Sequence, residues 1–466
     1  MLKRFPSFIL PSLICASSVL SEEPSAPLLS KPYGYGAIES GQFEKYKYQQ
    51  EDFRYGWRQR AYVVMGTDMP LSERLTVHAG LKAILWYNTF PKERNGDNLN
   101  FDDKHVNIGI DRAEAVYAFR SEESRKLQLH IGQFSYKYNQ DARNLGEYLF
   151  RSGAYPNFIQ TDFDYTQSSL TGFMLQSALG NWKNDVIFNT ETDLVPYFDM
   201  GLSWLTSYSV GSLLDFGAGV SFTNLISVDE SKTTPNPNKL PSPLQGNGDA
   251  RGGGPGGLKY RGYLDGKDTA YYTFRSTKVM ARISCNFQSL FSSDLLGKED
   301  LKLYGEAALL GVKNYPMPIG FDTLPDSLNN YYSYLKDRKQ RMPVMIGFNI
   351  PAFKVLDVLS LELEWYGLKG PNSFRDRKED YYPLSQSPYY WKKNNVNYSA
   401  KDYGSKDDLK WSLYGRRTLM NGLQVVGQVA RDHVRHNTDS PIQLDEEEAL
   451  TKSGNWWWAL KLSFFY

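Results

Sequence analysis

Cysteine is almost missing. Cys15 and Cys285 are the only two in 466 residues. That excludes a small secreted fold stapled by disulfides, a C-x-x-C redox pair and a cysteine-rich zinc site. Histidine is scarce as well: His78, His105, His130, His433 and His436 are the whole set. No H-E-x-x-H, G-x-S-x-G or phosphate-loop pattern occurs among them or elsewhere. Long apolar runs are lacking too. Mean hydropathy is −0.50, and the apolar run at Phe5–Leu20 is broken by Pro6 and Pro11. A helical membrane protein is thereby excluded. Nor does one sign of charge dominate. Fifty-three Lys and Arg stand against 52 Asp and Glu, for a net charge of +1, so no bulk attraction to nucleic acid is expected.

What the chain has in abundance is aromatic side chains, 15% of all residues, with 33 tyrosines. It begins "MLKRFPSFILPSLICASSVLSEEPSA": basic at Lys3 and Arg4, then apolar, then small residues before an acidic stretch. This pattern reads as a secretory signal peptide over 1–21, cut after Ser21. Cys15 follows Ile14 rather than the small residue that a lipid-bearing cysteine requires, so a lipoprotein reading fails at that step. Removal of the signal leaves one cysteine, Cys285, which has no partner in the chain. The exported protein is thus polar on average, rich in aromatics and free of disulfides. A β-barrel in a membrane has this composition, because its strands are only half apolar and its loops are polar.

The last eleven residues, "WWWALKLSFFY", sharpen that reading. Trp456, Trp458, Leu460, Leu462, Phe464 and Tyr466 share one face at a period of two. Lys461 and Ser463 lie on the other. Aromatics bracket the apolar face at both ends, as they do where rings settle at two membrane interfaces. An ordinary sandwich strand also alternates, so the other segments must decide. Many repeat the pattern. Leu75–Tyr87 sets an apolar row against Lys82. Ala113–Phe119 opposes Arg112 and Glu114. Val279–Phe287 opposes Arg282. Leu301–Leu309 opposes Lys302 and Glu306. Leu359–Trp365 opposes Glu362 and Glu364, and Leu409–Gly415 opposes Lys410 and Arg416. So many ionisable groups on the inner face fit one closed sheet around a wet lumen, and closure removes exposed edges.

Connections between these segments alternate in length. "TDMPLSER", "RSEESRK", "GNWK", "SVGS" and "TLMNG" are short; 89–106, 136–168, 229–267, 315–339, 369–407 and 435–453 are long. Tight turns on one side and long loops on the other predict an all-β, transmembrane, antiparallel up-and-down barrel of about 16 strands, with 14 to 18 allowed by segments 170–207 and 268–291. Residues 37–48 supply the first strand and 37–466 the barrel, leaving 22–36 as a short N-terminal segment too small for a plug domain. The Gly- and Pro-rich stretch 233–257 reads as an external loop rather than a linker, since alternation resumes after it.

Chemistry is sparse. "DHVRH" near His433 and His436 and the acidic run Asp445–Glu448 read as solvated loop residues, with a metal or Ca²⁺ site as the weaker alternative. No catalytic residue, cofactor or resident metal is expected. The third external connection, Tyr136–Asp164, differs from the others. It carries Asp141, Arg143, Glu147 and Arg151 among aromatics, and "DARNLGEYLFRS" spaces Arg143, Glu147 and Arg151 for one side of a short helix.

The signal segment, the alternating connections, the charged third loop and the aromatic ending together resemble the general porins of Gram-negative outer membranes. This resemblance spans nearly the whole mature chain. It implies a sixteen-stranded barrel in the cell outer membrane, in contact with lipid and lipopolysaccharide, and assembly as a homotrimer. It implies that the third loop folds inward and that Asp141, Arg143, Glu147 and Arg151 form the constriction. Lys82, Arg112, Glu114, Arg282, Lys302, Glu306, Glu362, Glu364, Lys410 and Arg416 would line the lumen. Leu462, Phe464 and Tyr466 would be the signal read by the barrel-assembly machinery. The acidic tip motif of the classical third loop is not present. The function implied is passive or weakly selective diffusion of small hydrophilic solutes, sugars among them. The alternative is a barrel acting through its external loops as an adhesin or surface enzyme.

Overall fold

The computed structural model describes residues 30–48, 51–88, 104–122, 125–151, 168–190, 198–226, 260–265, 268–273, 276–291, 293–312, 342–365, 409–420, 422–431, 434–438, 445–449 and 456–466. The expected signal peptide and the 233–257 loop lie outside them. In chain order the strands are β1 (Lys31–Tyr48), β2 (Glu51–Pro70), β3 (Leu75–Asn88), β4 (Lys104–Glu122), β5 (Arg125–Tyr136), β6 (Ser168–Leu179), β7 (Trp182–Thr190), β8 (Met200–Val210) and β9 (Leu214–Ile226). There follow β10 (Tyr260–Asp265), β11 (Asp268–Thr273), β12 (Ser276–Asn286), β13 (Lys302–Leu310), β14 (Val344–Asn349), β15 (Val358–Trp365), β16 (Leu409–Met420), β17 (Leu423–Arg431), β18 (Val434–Thr438), β19 (Asp445–Ala449) and β20 (Trp457–Phe465).

Sixteen of these form one closed antiparallel barrel, each wall strand paired with the next in sequence. β10–β11 and β18–β19 are separate two-stranded ribbons inserted in long connections. The poorly delimited 268–291 region therefore divides. Residues 268–273 pair with β10, and only Ser276–Asn286 enters the wall. The acidic run beginning at Asp445 lies in a strand, β19, rather than in a loop, with Glu447 opposite His436.

The sequence alternation is the alternation of the wall. On β20, Leu460, Leu462 and Phe464 are exposed outward while Trp457, Lys461 and Ser463 are buried. On β15, Leu363 and Trp365 face out and Ser360, Glu362 and Glu364 face in. An exposed apolar exterior around a polar interior inverts a soluble protein, and it is stable only where the exterior meets lipid.

β1 starts at Lys31, not at residue 37, and residues 31–36 are part of the wall. Closure depends on them. Tyr35↔Phe465 through Phe43↔Trp457 join the first strand to the last, and Gly34 and Tyr466 exchange both backbone bonds at 2.9 and 3.0 Å. At this seam Gly36 sits opposite Phe464, and a Cβ on Gly36 would fall 2.3 Å from the phenyl ring. Glycine is needed there so that the ring can lie flat across the joint.

Candidate functional site

Strand β5 ends at Tyr136, and the chain then turns into the barrel rather than away from it. Residues 137–147 form turns, and a single helical turn, α1 (Tyr148–Arg151), follows. The expected longer helix does not form. Gly146 and Glu147 take φ values of +90° and +60°, a left-handed pair that ends any right-handed run. Arg143, Glu147 and Arg151 consequently do not share a helix face. The side chain of Arg151 lies outside the described residues.

Apolar packing draws the segment inward. Ala142, Leu145, Leu149 and Phe150 are fully buried against Met174, Leu205, Met280 and Met345 of the wall. Room is made by a glycine. A Cβ on Gly219 of β9 would stand 2.6 Å from Leu149 Cδ1. The sequence "FGAGV", 216–220, carries this signal: alternate glycines on the inner face mean that something else fills the space. Gly217 makes the same allowance for Arg282.

Three wall carboxylates then hold the segment. Glu362 accepts the backbone N–H groups of Arg143 at 2.6 Å and of Asn144 and Leu145 at 2.8 Å. Glu306 accepts from the Glu147 and Tyr148 amides at 3.0 and 2.8 Å, from Asn139 Nδ2 at 2.8 Å and from the Tyr138 hydroxyl at 2.5 Å. Glu364 accepts from the Tyr148 hydroxyl at 2.9 Å. Lys278 Nζ donates to the Leu149 carbonyl at 3.0 Å, near the end of α1. A buried carboxylate is costly by itself, and several charge-assisted bonds to each offset that cost.

The charged side chains of the segment are also engaged. Lys302 bridges Asp141 at 2.9 Å and Glu299 at 3.0 Å, and Arg143 reaches Glu299 at 3.2 Å. Burial works to raise the Asp141 pKa, but the Lys302 ammonium holds it below the ordinary value. Glu147 goes the other way. Burial first, and the neighbouring Glu306 carboxylate second, push it up to about 8, although Lys137 and the Asn139 N–H act against this. Here an acid faces an acid.

The segment fills only one side of the lumen. Beside it runs a cavity of about 770 Å³. Its wall reaches from Glu122, Lys126, Lys183 and Asp215 near the short turns to Tyr136, Tyr138, Gln140 and Asp141 at the inserted segment. Five basic side chains (Arg112, Lys126, Lys137, Lys183 and Arg282) and five acidic ones (Glu114, Glu122, Asp141, Asp185 and Asp215) line it, so neither sign prevails. Several are locked in pairs. Glu114 binds both Arg112 and His130, Arg282 meets Asp215 at 2.5 Å, and Tyr136 donates to Asp185 at 2.7 Å.

The ten lumen residues named from sequence all lie on inward-facing strand positions, but they divide by surroundings. Arg112, Glu114 and Arg282 line the cavity. Lys302, Glu306, Glu362 and Glu364 touch the inserted segment or its side chains. Lys410 pairs with Glu364 at 3.6 Å. Lys82 and Arg416 face inward elsewhere, opposite Val64 and Val358. Lys278, Tyr138, Asn139 and Tyr148 were missed because nothing in a local pattern says that a strand lysine will meet a distant carbonyl. Leu462, Phe464 and Tyr466 are exposed on the outer face.

A closed sixteen-stranded wall, apolar outside and charged inside, with one connection folded into its lumen, defines a membrane-spanning β-barrel with a narrowed interior. Among solved structures the chain aligns with variants of the Rhodopseudomonas blastica porin. A triple mutant aligns at 8% identity over 94% of this chain and 100% of that one, with a TM-score of 0.40. A second variant gives 9% identity and 0.41 at the same coverage, and a structure described as "Asymmetric conductivity of engineered proteins" gives 8% and 0.41. No protein-family model and no curated protein matches the sequence.

Proposed function

We propose that the protein is an outer-membrane channel for passive diffusion of small hydrophilic solutes, reached by export and removal of residues 1–21. The observation that carries this is the 770 Å³ charged cavity running beside an inserted segment within a closed barrel. Residues 137–151 act as the constriction. They narrow the lumen to an arc along β4–β9, where paired charges keep water ordered and set a transverse field. With both signs balanced along that arc, selection between anions and cations is weak. Among the described residues, nothing at the cavity favours sugars over other solutes. The two tyrosines at the cavity, Tyr136 and Tyr138, are buried against Phe150, with ring centres 5.7 and 6.0 Å away, and have no free face on which a sugar ring would stack.

Purified protein in a planar bilayer tests this directly. Discrete, ohmic conductance steps with a reversal potential near zero in a salt gradient are expected. Deletion of residues 141–152 raises the step size. A barrel that inserts but never conducts would favour action through the external loops.

A further inference from the structure

The short-turn end of the barrel is uneven. On one side the turns 71–74, 180–181 and 211–213 are brief. On the other, residues 287–301 and 350–357 are longer, and they expose Leu290, Phe291, Leu295, Phe353 and Val355. Phe353 and Lys354 take φ values of +50° and +61°, backbone that L residues adopt only when the surroundings enforce it.

Two observations place residues 350–357 beside the outer wall, whereas the other turn reaches inward at its end, where Glu299 meets Arg143 and Lys302. Leu356 lies against the outward-facing Gly415 of β16, where a Cβ would be 3.5 Å from its Cδ1. Arg417, next but one along the same strand and half-buried, donates to the Lys354 carbonyl at 2.5 Å. Phe287 likewise extends the outward row of Val279 and Ile283 on β12. The two turns are also tied to each other. Buried Asp300 accepts the amides of Gly297 at 2.8 Å, Ala352 at 3.1 Å and Phe353 at 3.3 Å. They form one ledge, continuous with the apolar belt.

The charges of the ledge are sorted. Asp300 is used inside, Glu299 binds Arg143 and Lys302, and Asp357 accepts the Thr418 amide at 2.6 Å. Lys298 and Lys354 are exposed, with Asp294 as the one exposed acid. Apolar side chains flanked by outward lysines, adjoining a lipid-facing wall, match the boundary between acyl chains and phosphates.

We propose that residues 287–291, 293–298 and 350–357 form a lipid-anchoring ledge. It lies in the headgroup layer of the leaflet at the short-turn end, with Leu295, Phe353 and Val355 among the chains and Lys298 and Lys354 at the phosphates. This rests on the reading of the barrel as membrane-spanning, and the test separates the two.

In a Cys285→Ser background, spin labels are placed singly at Leu295→Cys, Phe353→Cys, Asn181→Cys (a brief turn) and Leu413→Cys (the belt). The protein is reconstituted in phosphatidylethanolamine–phosphatidylglycerol vesicles, and collision with oxygen and with a water-soluble nickel chelate is measured. Labels at 295 and 353 are expected to be severalfold less accessible to nickel than the label at 181, and to remain open to oxygen. Adding Lys298→Gln and Lys354→Gln moves them toward the 181 value. If 295 and 353 match 181 in nickel access, the ledge hangs in water and the proposal is wrong. Protection from both reagents means that protein, such as a second copy, covers the turns, which also overturns it. Nickel access at 413 would overturn the spanning reading and the ledge with it.

Discussion

Glu306 of the wall accepts the backbone amide of Glu147 at 3.0 Å, and the two acids are buried together where the inserted segment meets the wall. The docked segment therefore prefers Glu147 protonated. Its folded pKa is raised to about 8 by burial and then by Glu306. A raised carboxyl contributes docking strength that is complete below the ordinary carboxylate value of roughly 4.3 and is lost as pH rises through the folded value. Single-channel conductance should thus be lower at about pH 5 than at about pH 9, as the segment loosens. Glu147→Gln should flatten that dependence, and a profile unchanged by the substitution would mean that another group sets it.

Glu362 anchors the segment through three consecutive amides that converge on it. Glu362→Ala orphans all three in a buried place, at about 1–3 kcal/mol each. The segment should detach while the wall, held by its ladders, stays closed. Limited proteolysis within residues 137–151 should become fast in the variant, with heat-modifiable gel mobility retained.

Gly219 tests the same docking from the other side. Gly219→Phe places a ring where Leu149 sits. Expulsion of Leu149 should raise the conductance step about as much as removal of the segment does. An unaltered step would show that the narrowest point lies elsewhere.

At the outer face, Phe464→Asp with Tyr466→Asp places charge on the lipid side of the closing strand. Each substitution costs about 1–4 kcal/mol depending on depth, and the first also strips the ring from Gly36. Yield of the heat-modifiable barrel should collapse. Phe464→Leu should restore most of it if apolar contact is what matters there.

The wall was readable because lipid on one side and water on the other impose a period of two on every strand. Leu359–Trp365 shows it plainly, and so does the aromatic ending. What the inner charges meet was not readable. Alternation places Glu306 and Glu362 inside, but only the fold brings them to amides far away in sequence. The helix expected through Arg143, Glu147 and Arg151 failed for the same reason. Wall carboxylates supply the acceptors that a helix would have drawn from its own backbone, and Gly146 with Glu147 turns the chain to reach them. The first strand was set too short because Gly34 and Gly36 weaken the local pattern, although Gly36 is needed at the seam.

The circumference of the barrel has two jobs, and different strands do them. β13 and β15, with Lys278 of β12, supply the polar anchors of the inserted segment; the wall charges facing the open water sit on β4, β5, β7 and β9 and at Arg282 of β12, while Lys137 and Asp141 face it from the segment itself. A reversal of sign at Lys126, Lys183 or Asp215 would change what the water column favours and leave every anchor untouched. Lys126, Lys183 and Asp215 belong to none of the polar bonds that dock the segment, so the charge along the water column can be retuned one side chain at a time while those bonds stay as they are.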